Sequence, residues 1–274
     1  MSQNAQMEKT LVFLKLGGSL ITDKSHPNNA RIRVINQIAQ EIFNALEQKP
    51  DLRLLIGHGS GSYGHVPAKE FRTIEGVHSS EDWIGFGQVW HAASTLHRVV
   101  IEALHTADLV PISIPPSACI FTQGREIINW DLQPIERALN NGLLPVTYGD
   151  VVFDAVLGGT ILSTEDLFIY LARILKPQRI LLAGHEPGVW HDYPKRSEII
   201  SKITPASSED LLPNIQGADE SDVTGGMAAK VLHMLDLVKS MPEIEVNIFS
   251  GLEPGNIQKA IIGDSMGTFL RGDS

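Results

Sequence analysis

Gly57-His58-Gly59-Ser60-Gly61-Ser62-Tyr63-Gly64-His65 follows the apolar run Leu52-Arg53-Leu54-Leu55-Ile56. The apolar run reads as a buried strand. The glycines that follow let a backbone approach a ligand closely and take positive φ. Successive amides in such a turn form an anion-binding nest. The two serines, the tyrosine and the two histidines add side-chain donors. The stretch therefore predicts a strand leading into a phosphate site, with a plain strand-to-helix connection as the alternative. Gly59 to Gly64 also match the dinucleotide glycine pattern, but no acid closes a second strand about 20 residues on, so that match is set aside. The P-loop pattern, in which a glycine-lysine pair precedes serine or threonine, does not occur.

Outward from this stretch the chain alternates strands and helices. Leu11 to Leu16 form an apolar run that ends in a second glycine turn, Gly17-Gly18-Ser19. Val34, Ile38, Ile42 and Leu46 recur at helical spacing, so 33–48 is a helix. Strand, helix and strand favour parallel pairing with a right-handed crossover. Further helices are expected over 80–106, 131–140, 225–239 and 256–262, and strands over 109–114, 143–148, 179–183 and 245–249. Residues 151–154 and 159–162 read as a hairpin. Ser163 or Thr164 caps a helix reaching about Leu175, with Glu165 and Asp166 at its positive end. Residues 185–214 read as loop. The expected fold is α/β, a three-layer αβα sandwich around a mostly parallel sheet. It is a single domain over 1–274, with lobes of about 11–150 and 151–270 sharing one sheet.

A net charge of −10 disfavours nucleic acid as partner, since neutralising phosphates needs a basic face. Cys119 is the only cysteine, which excludes an internal disulfide and suits a reducing compartment. Residues 1–10 are polar and no run of ~18 apolar residues occurs, so neither a signal peptide nor a membrane span is expected. The expected setting is cytoplasmic.

Ligands of open α/β sheets bind beyond the carboxyl ends of the strands. The turns at 15–19, 57–65, 149–150 and 224–227 can converge there. Lys15, Lys24 and Lys230 are placed to neutralise phosphate charge. Lys15 stands out because a cation inside an apolar strand is costly without a purpose. The helix start at Gly225-Gly226 can hold an anion through its amides. His91, His97 and His105 lack metal-pair spacing and read as surface or core histidines. Trp83, Phe86 and Trp90, three and four residues apart, form either a core face or the wall of an apolar pocket.

Leu14-Lys15-Leu16-Gly17-Gly18-Ser19, Lys24, the loop His58 to His65, and Asp222-Val223-Thr224-Gly225-Gly226-Met227 with Lys230 together resemble the amino acid kinase superfamily, and within it the isopentenyl phosphate kinases. The likeness runs from about Leu11 to Leu270. It implies ATP-dependent phosphorylation of isopentenyl phosphate, with Mg²⁺ bridging ATP oxygens, and a homodimer. It implies that Lys15, Gly17, Gly18 and Ser19 hold ATP phosphates, with Gly61, Gly226 and Lys230 along the nucleotide. Lys24 would stabilise the transferring group and Asp150 would orient the lysines. Gly59, Ser60, His65 and Thr164 would face the acceptor. No protein metal site is implied.

Two departures from the pattern stand out. Ser60 sits where relatives often carry a third consecutive glycine. Gly184-His185-Glu186-Pro187-Gly188 replaces a loop that usually holds two aspartates, which leaves His185 and Gly188 as the nucleotide-side positions. The alternatives are a kinase of the same fold acting on fosfomycin or another small phosphate or phosphonate, and, in a different class, a non-catalytic ATP-binding sensor. Retention of Lys15, Lys24, His65 and Lys230 opposes the sensor. If Lys24 acts mainly in the transition state, Lys24→Ala lowers kcat by about 10²-fold or more with a smaller change in KM. Steady-state kinetics check this, and a near-normal kcat would remove Lys24 from the mechanism.

Overall fold

In the computed structural model, residues 10–23, 25–26, 28–211, 215 and 226–273 are described. Lys24 and the stretch Asp222-Val223-Thr224-Gly225 lie outside them. In the first half, β1 (Leu11–Leu16), α1 (Gly18–Ile21), α2 (Ile32–Gln48), β2 (Arg53–His58), α3 (Gly61–Glu70) and α4 (Ser80–Thr106) follow one another. Then come β3 (Pro111–Ser113), α5 (Pro116–Cys119), β4 (Ile120–Gln123), β5 (Glu126–Trp130), α6 (Gln133–Asn140) and β6 (Leu144–Tyr148). The second half holds β7 (Asp150–Asp154), β8 (Gly158–Leu162), α7 (Thr164–Leu175), β9 (Arg179–Gly184), β10 (Val189–Trp190), β11 (Ile199–Ile200) and β12 (Lys202–Ile203). It ends with α8 (Pro205–Leu211), α9 (Gly226–Ser240), β13 (Glu245–Ser250), α10 (Asn256–Ile262) and β14 (Thr268–Leu270).

The main sheet runs β12-β14-β13-β9-β1-β2-β6-β3. From β13 to β3 every neighbouring pair is parallel, and β14 turns antiparallel against β13. The chain's first half builds one side of this sheet and its second half the other, with β1 beside the seam. All six residues of β1 are buried, as expected of a strand covered on both faces. Its alternation sorts the core. Leu11 and Phe13 pack with α6, α7 and α9, whereas Val12, Leu14 and Leu16 pack with α1, α2, α4 and α10. This is the expected three-layer α/β sandwich.

A second sheet, β5-β4-β7-β8, stands beside the main one. The expected hairpin forms as β7 and β8. Its partner hairpin β4–β5 was not read from the sequence, and the expected loop at 185–214 includes β10, β11, β12 and α8. Asp154 anchors the second sheet, its carboxylate accepting from Thr122 Oγ1 and from the amides of Gly124, Arg125, Val156 and Leu157. The glycine stretch is not a free loop, because α3 begins at Gly61 itself. At α7 Ser163 is the cap, in a reciprocal pair with Asp166 that fixes where the helix starts.

Phe13 is fully buried and its ring lies 5.1 Å from that of Phe168 on α7. Phe13→Ala should lower the unfolding free energy by about 3–5 kcal/mol, the usual range for a buried phenylalanine. Urea denaturation measures it, and a loss below about 1 kcal/mol would mean that the core closes over the gap.

Candidate active site

A cleft of about 440 Å³ opens at the carboxyl ends of β1, β2, β6 and β9, where β1 separates strands contributed by the two halves. Two glycine turns form its centre. Gly17 N donates to Ala183 O at 2.8 Å, and Gly59 N donates to Leu16 O at 3.0 Å, tying each turn to a neighbouring strand. Thr22 clamps the turns together, donating from Oγ1 to Gly18 O and accepting from Ser62 N. The turns touch so closely that a Cβ on Gly18 would sit 2.6 Å from Gly61 Cα, and Gly61 itself has φ +52°. Only glycine fits this contact without strain. Among the described residues the amides of Gly18, Ser19, Ser60 and Gly61 donate to no acceptor. Unpaired amides gathered at a cleft make an anion site.

The strand alternation that puts Phe13 against α7 also carries Lys15 to that face. Lys15 Nζ donates to Glu165 Oε1 in the first turn of α7. Burial opposes the Glu165 charge, but Lys15 and Lys230 outweigh it and hold its carboxyl below the ordinary value. The partner of Lys15 is thus Glu165, not the Asp150 expected to orient the lysines. Asp150 also lines the cleft but accepts from Val151 N and, at 3.4 Å, from Ser117 N. Burial pushes its pKa up to about 6, against hydrogen bonds from Ser117, Val151 and Tyr148.

His65 on α3 and Lys230 on α9 line the cleft, as do Gly17, Gly18, Ser19, Gly59, Ser60, Gly61, His185 and Gly226. Thr164 lines it as well, but its hydroxyl donates to His58 O at 2.6 Å and so braces the β2 turn. Gly188 is not part of the cleft wall, and a Cβ there would meet Ile199 and Thr268. Of the donors expected from the glycine stretch only Ser60 and His65 line the cleft, since Tyr63 packs into the core and His58 turns away. The apolar floor is Ala68, Ile74, Val89 and Ile161. Val89 is the residue α4 contributes, so of the two readings of Trp83, Phe86 and Trp90 the pocket wall does not hold. Trp83 and Trp90 are exposed, and Phe86 lies behind the floor with Val77 and Val151.

At the far end Glu186 accepts from Trp190 Nε1 at 2.7 Å and lies 3.4 Å from Arg196. Sequence reading missed this cluster, along with Glu165 and Arg31. For Glu165 a signal existed, because a lysine inside a buried strand requires a nearby anion.

Against known proteins, the profile of the amino acid kinase family matches residues 10–250. The chain belongs to that family. It is 33% identical over 266 residues to the isopentenyl phosphate kinase of Methanocaldococcus jannaschii, covering 94% of this chain and 97% of that one. The isopentenyl phosphate kinase of Methanothermobacter thermautotrophicus is 33% identical over 270 residues, with 96% and 99% covered. A solved product complex of the Thermoplasma acidophilum isopentenyl phosphate kinase superposes with a TM-score of 0.76 at 29% identity, covering 96% of this chain and all of that one. Within this amino acid kinase fold, the cleft brings the two glycine turns together with Lys15 and Lys230.

Asp150 gives this site a pH signature. Its folded pKa of about 6 lies above the ordinary aspartate value of 3.8. Below about pH 4 both folded and unfolded chains are protonated there, and Asp150 costs nothing. Between about 4 and 6 the folded chain keeps a proton that the unfolded chain has lost, so stability falls as pH rises. Above 6 the cost is complete, about 3 kcal/mol for a shift of about two units. The melting temperature of Asp150→Asn relative to the unsubstituted protein should therefore shift in the variant's favour between pH 4 and pH 7.5. A constant difference would mean that Asp150 is ionised throughout.

Proposed function

We propose that the chain is an isopentenyl phosphate kinase, transferring the γ-phosphoryl group of ATP to isopentenyl phosphate and releasing ADP and isopentenyl diphosphate. The observation that carries this reading is a single cleft in which amides and cations for phosphates adjoin an apolar floor. The acceptor joins a phosphate to a short hydrocarbon tail, and Ala68, Ile74, Val89 and Ile161 beside His65 suit that shape. The isopentenyl phosphate kinases that match over nearly the whole chain support the same reading.

An oxygen of the acceptor phosphate forms the new P–O bond, and the bond between the β-bridging oxygen and the γ-phosphorus breaks. Catalysis of such a transfer is mostly positioning and charge neutralisation. In this reading Gly17, Gly18 and Ser19 present amides to the ATP phosphates, while Lys15 and Lys230 supply charge from either side of the Glu165 carboxylate they both act on. Glu165 holds Lys15 in place and cancels part of the positive field. Gly59, Ser60 and His65 take the acceptor phosphate, and Gly61 approaches the nucleotide. Lys24 serves the transferring group, and His185 with Gly226 flanks the nucleotide.

The reading carries Mg²⁺ as a second requirement. Among the described residues the site's carboxylates do not form a cage for it, because Glu165 is committed to Lys15, Glu186 to Trp190 and Arg196, and Asp150 to Val151 and Ser117. Among the described residues no group of three His, Cys, Asp or Glu side chains gathers to hold a metal. The ion would travel on the nucleotide's own oxygens and lower their charge. A homodimer and a cytoplasmic setting complete the proposal. Exposed Trp83, Ile84 and Trp90 on α4 support the dimer, and the lone cysteine suits a reducing compartment.

An ATP-consumption assay across alkyl phosphates, fosfomycin and amino acids tests the function, with isopentenyl phosphate expected to give the highest kcat/KM. At residue level His65 decides the acceptor side. The acceptor phosphate is largely a dianion near neutral pH, so a histidine facing it gains a charged partner. His65→Ala should cripple turnover of isopentenyl phosphate and leave ATP affinity nearly intact, and His65→Gln should recover part of the activity. Paired titrations with a non-hydrolysable ATP analogue and with isopentenyl phosphate read this directly. Loss of nucleotide affinity alone would place His65 on the ATP side.

A further inference from the structure

Beneath the β2 glycine turn lies a polar chain, buried at His58 and His97 and reaching the surface at Ser113, that phosphoryl transfer as described above does not use. His58 closes β2 and is fully buried on the α4 side of the sheet. Its Nε2 lies 3.0 Å from Nδ1 of His97, and its Nδ1 lies 3.2 Å from the carbonyl oxygen of Gly59. His97 Nε2 lies 2.7 Å from Oγ of Ser113 at the end of β3. The Tyr148 ring stacks on both imidazoles, at 4.1 Å from His97 and 5.4 Å from His58.

Hydrogen-bonding valence allows one assignment of protons. The Gly59 carbonyl only accepts, so His58 Nδ1 carries a hydrogen. A neutral imidazole has one N–H, so His58 Nε2 must accept from His97 Nδ1–H. His97 Nε2 then accepts the Ser113 hydroxyl. Charged rings are disfavoured, since burial, with Lys15 beside it, lowers the pKa of His58 to about 4, and burial, with His58 and Arg98 nearby, lowers that of His97 to about 2. Both rings therefore hold the Nδ1–H tautomer, the minor one for histidine in water. The three hydrogen bonds point the same way, from Ser113 toward Gly59, and chains so aligned strengthen one another.

The far end of this chain touches the cleft. A trans peptide holds its C=O and N–H on opposite sides. Anchoring the Gly59 carbonyl on His58 beneath the turn therefore aims the Ser60 N–H away from the core. That amide has no acceptor among the described residues, and Ser60 lines the cleft.

We propose that Ser113, His97 and His58 form a directional hydrogen-bond relay that fixes the Gly59–Ser60 peptide with its N–H aimed at the acceptor phosphate. His97 and Ser113 are thus positioning residues for acceptor binding that never touch the acceptor. The proposal rests on the acceptor-side reading of the β2 turn. The relay also separates two kinds of histidine within one loop, since His58 stays neutral through the pH range in which His65 meets its phosphate.

Long-range ¹H–¹⁵N correlation spectra of the histidine-labelled protein, recorded from pH 8 to pH 5, test the relay without any turnover. Two histidines, assigned with His97→Asn and His58→Asn, should show the Nδ1–H tautomer and no titration. An Nε2–H tautomer or a charged ring at pH 7 at either position overturns the relay. Kinetics supply the second readout. His97→Leu removes the donor to His58 and should raise KM for isopentenyl phosphate about tenfold, the scale of one lost hydrogen bond, with KM for ATP nearly unchanged. His97→Asn places an amide N–H where Nδ1 stood and should restore most of the acceptor affinity. An unchanged acceptor KM in folded His97→Leu, or an equal loss in His97→Asn, overturns the positioning role. Should His97→Leu not fold, His97→Asn and the spectra decide. If the unsubstituted protein turned over no isopentenyl phosphate, the functional assignment would fall while the spectra still judged the relay.

Discussion

A positive charge sits inside a strand that is otherwise wholly apolar, and much of the site follows from it. Lys15 belongs to β1, which is buried on both faces, so its ammonium cannot stand without an anion. Glu165 supplies the anion from the first turn of α7, and the Ser163–Asp166 cap fixes where that turn begins. Removing either partner of such a buried pair leaves an uncompensated charge, typically costing about 3–5 kcal/mol. The arrangement serves function as well as stability. Glu165 also feels Lys230, so one carboxylate is shared by two cations and the cleft keeps a positive balance for phosphates.

The glycines impose the complementary constraint. Gly18 and Gly61 meet back to back, and Thr22 locks the meeting from beneath. Because the turns interlock, the amides above them are aimed by the scaffold before any ligand arrives. Amides held in advance need little reorganisation when charge develops, which is what electrostatic catalysis requires. The apolar floor lies on the α3, α4 and β8 side of these turns, and α3 contributes to both, bringing His65 and Ala68 to the same cleft.

Much of this was legible in the sequence because it is local. The apolar runs gave the parallel strands, and the helix over 80–106 matched because Ser79 and Asp82 cap it reciprocally. Lys15, the two glycine turns and His65 announced themselves through residue type alone. What stayed hidden depends on contacts across the chain. Glu165 lies 150 residues from its lysine and looked like an ordinary first-turn acid. Thr164 turned out to brace His58, and Gly188 to pack against Ile199 and Thr268, since neither orientation is encoded locally. Tyr63 seemed available because the stretch read as a turn. Once α3 starts at Gly61, that side chain belongs to the core. The aromatics of α4 stayed open between a core face and a pocket wall for a similar reason, because helical spacing gives a shared face but not the neighbour it meets; Phe86 joins the core. Lys24 and residues 222–225 lie outside the described residues.

The place of β1 in the sheet bears on how the protein is made. Its neighbours are β2, from the same half of the chain, and β9, from the other half. During synthesis β2 emerges soon after β1, whereas β9 appears only after the whole second sheet and α7. Until then one edge of β1 carries unpaired backbone groups beside side chains that are nearly all apolar. Exposed edges of that kind recruit other strands, including those of neighbouring nascent chains. The strand that holds Lys15 is therefore also an aggregation hazard before the ribosome releases the chain, and an isolated first half would carry that open edge permanently.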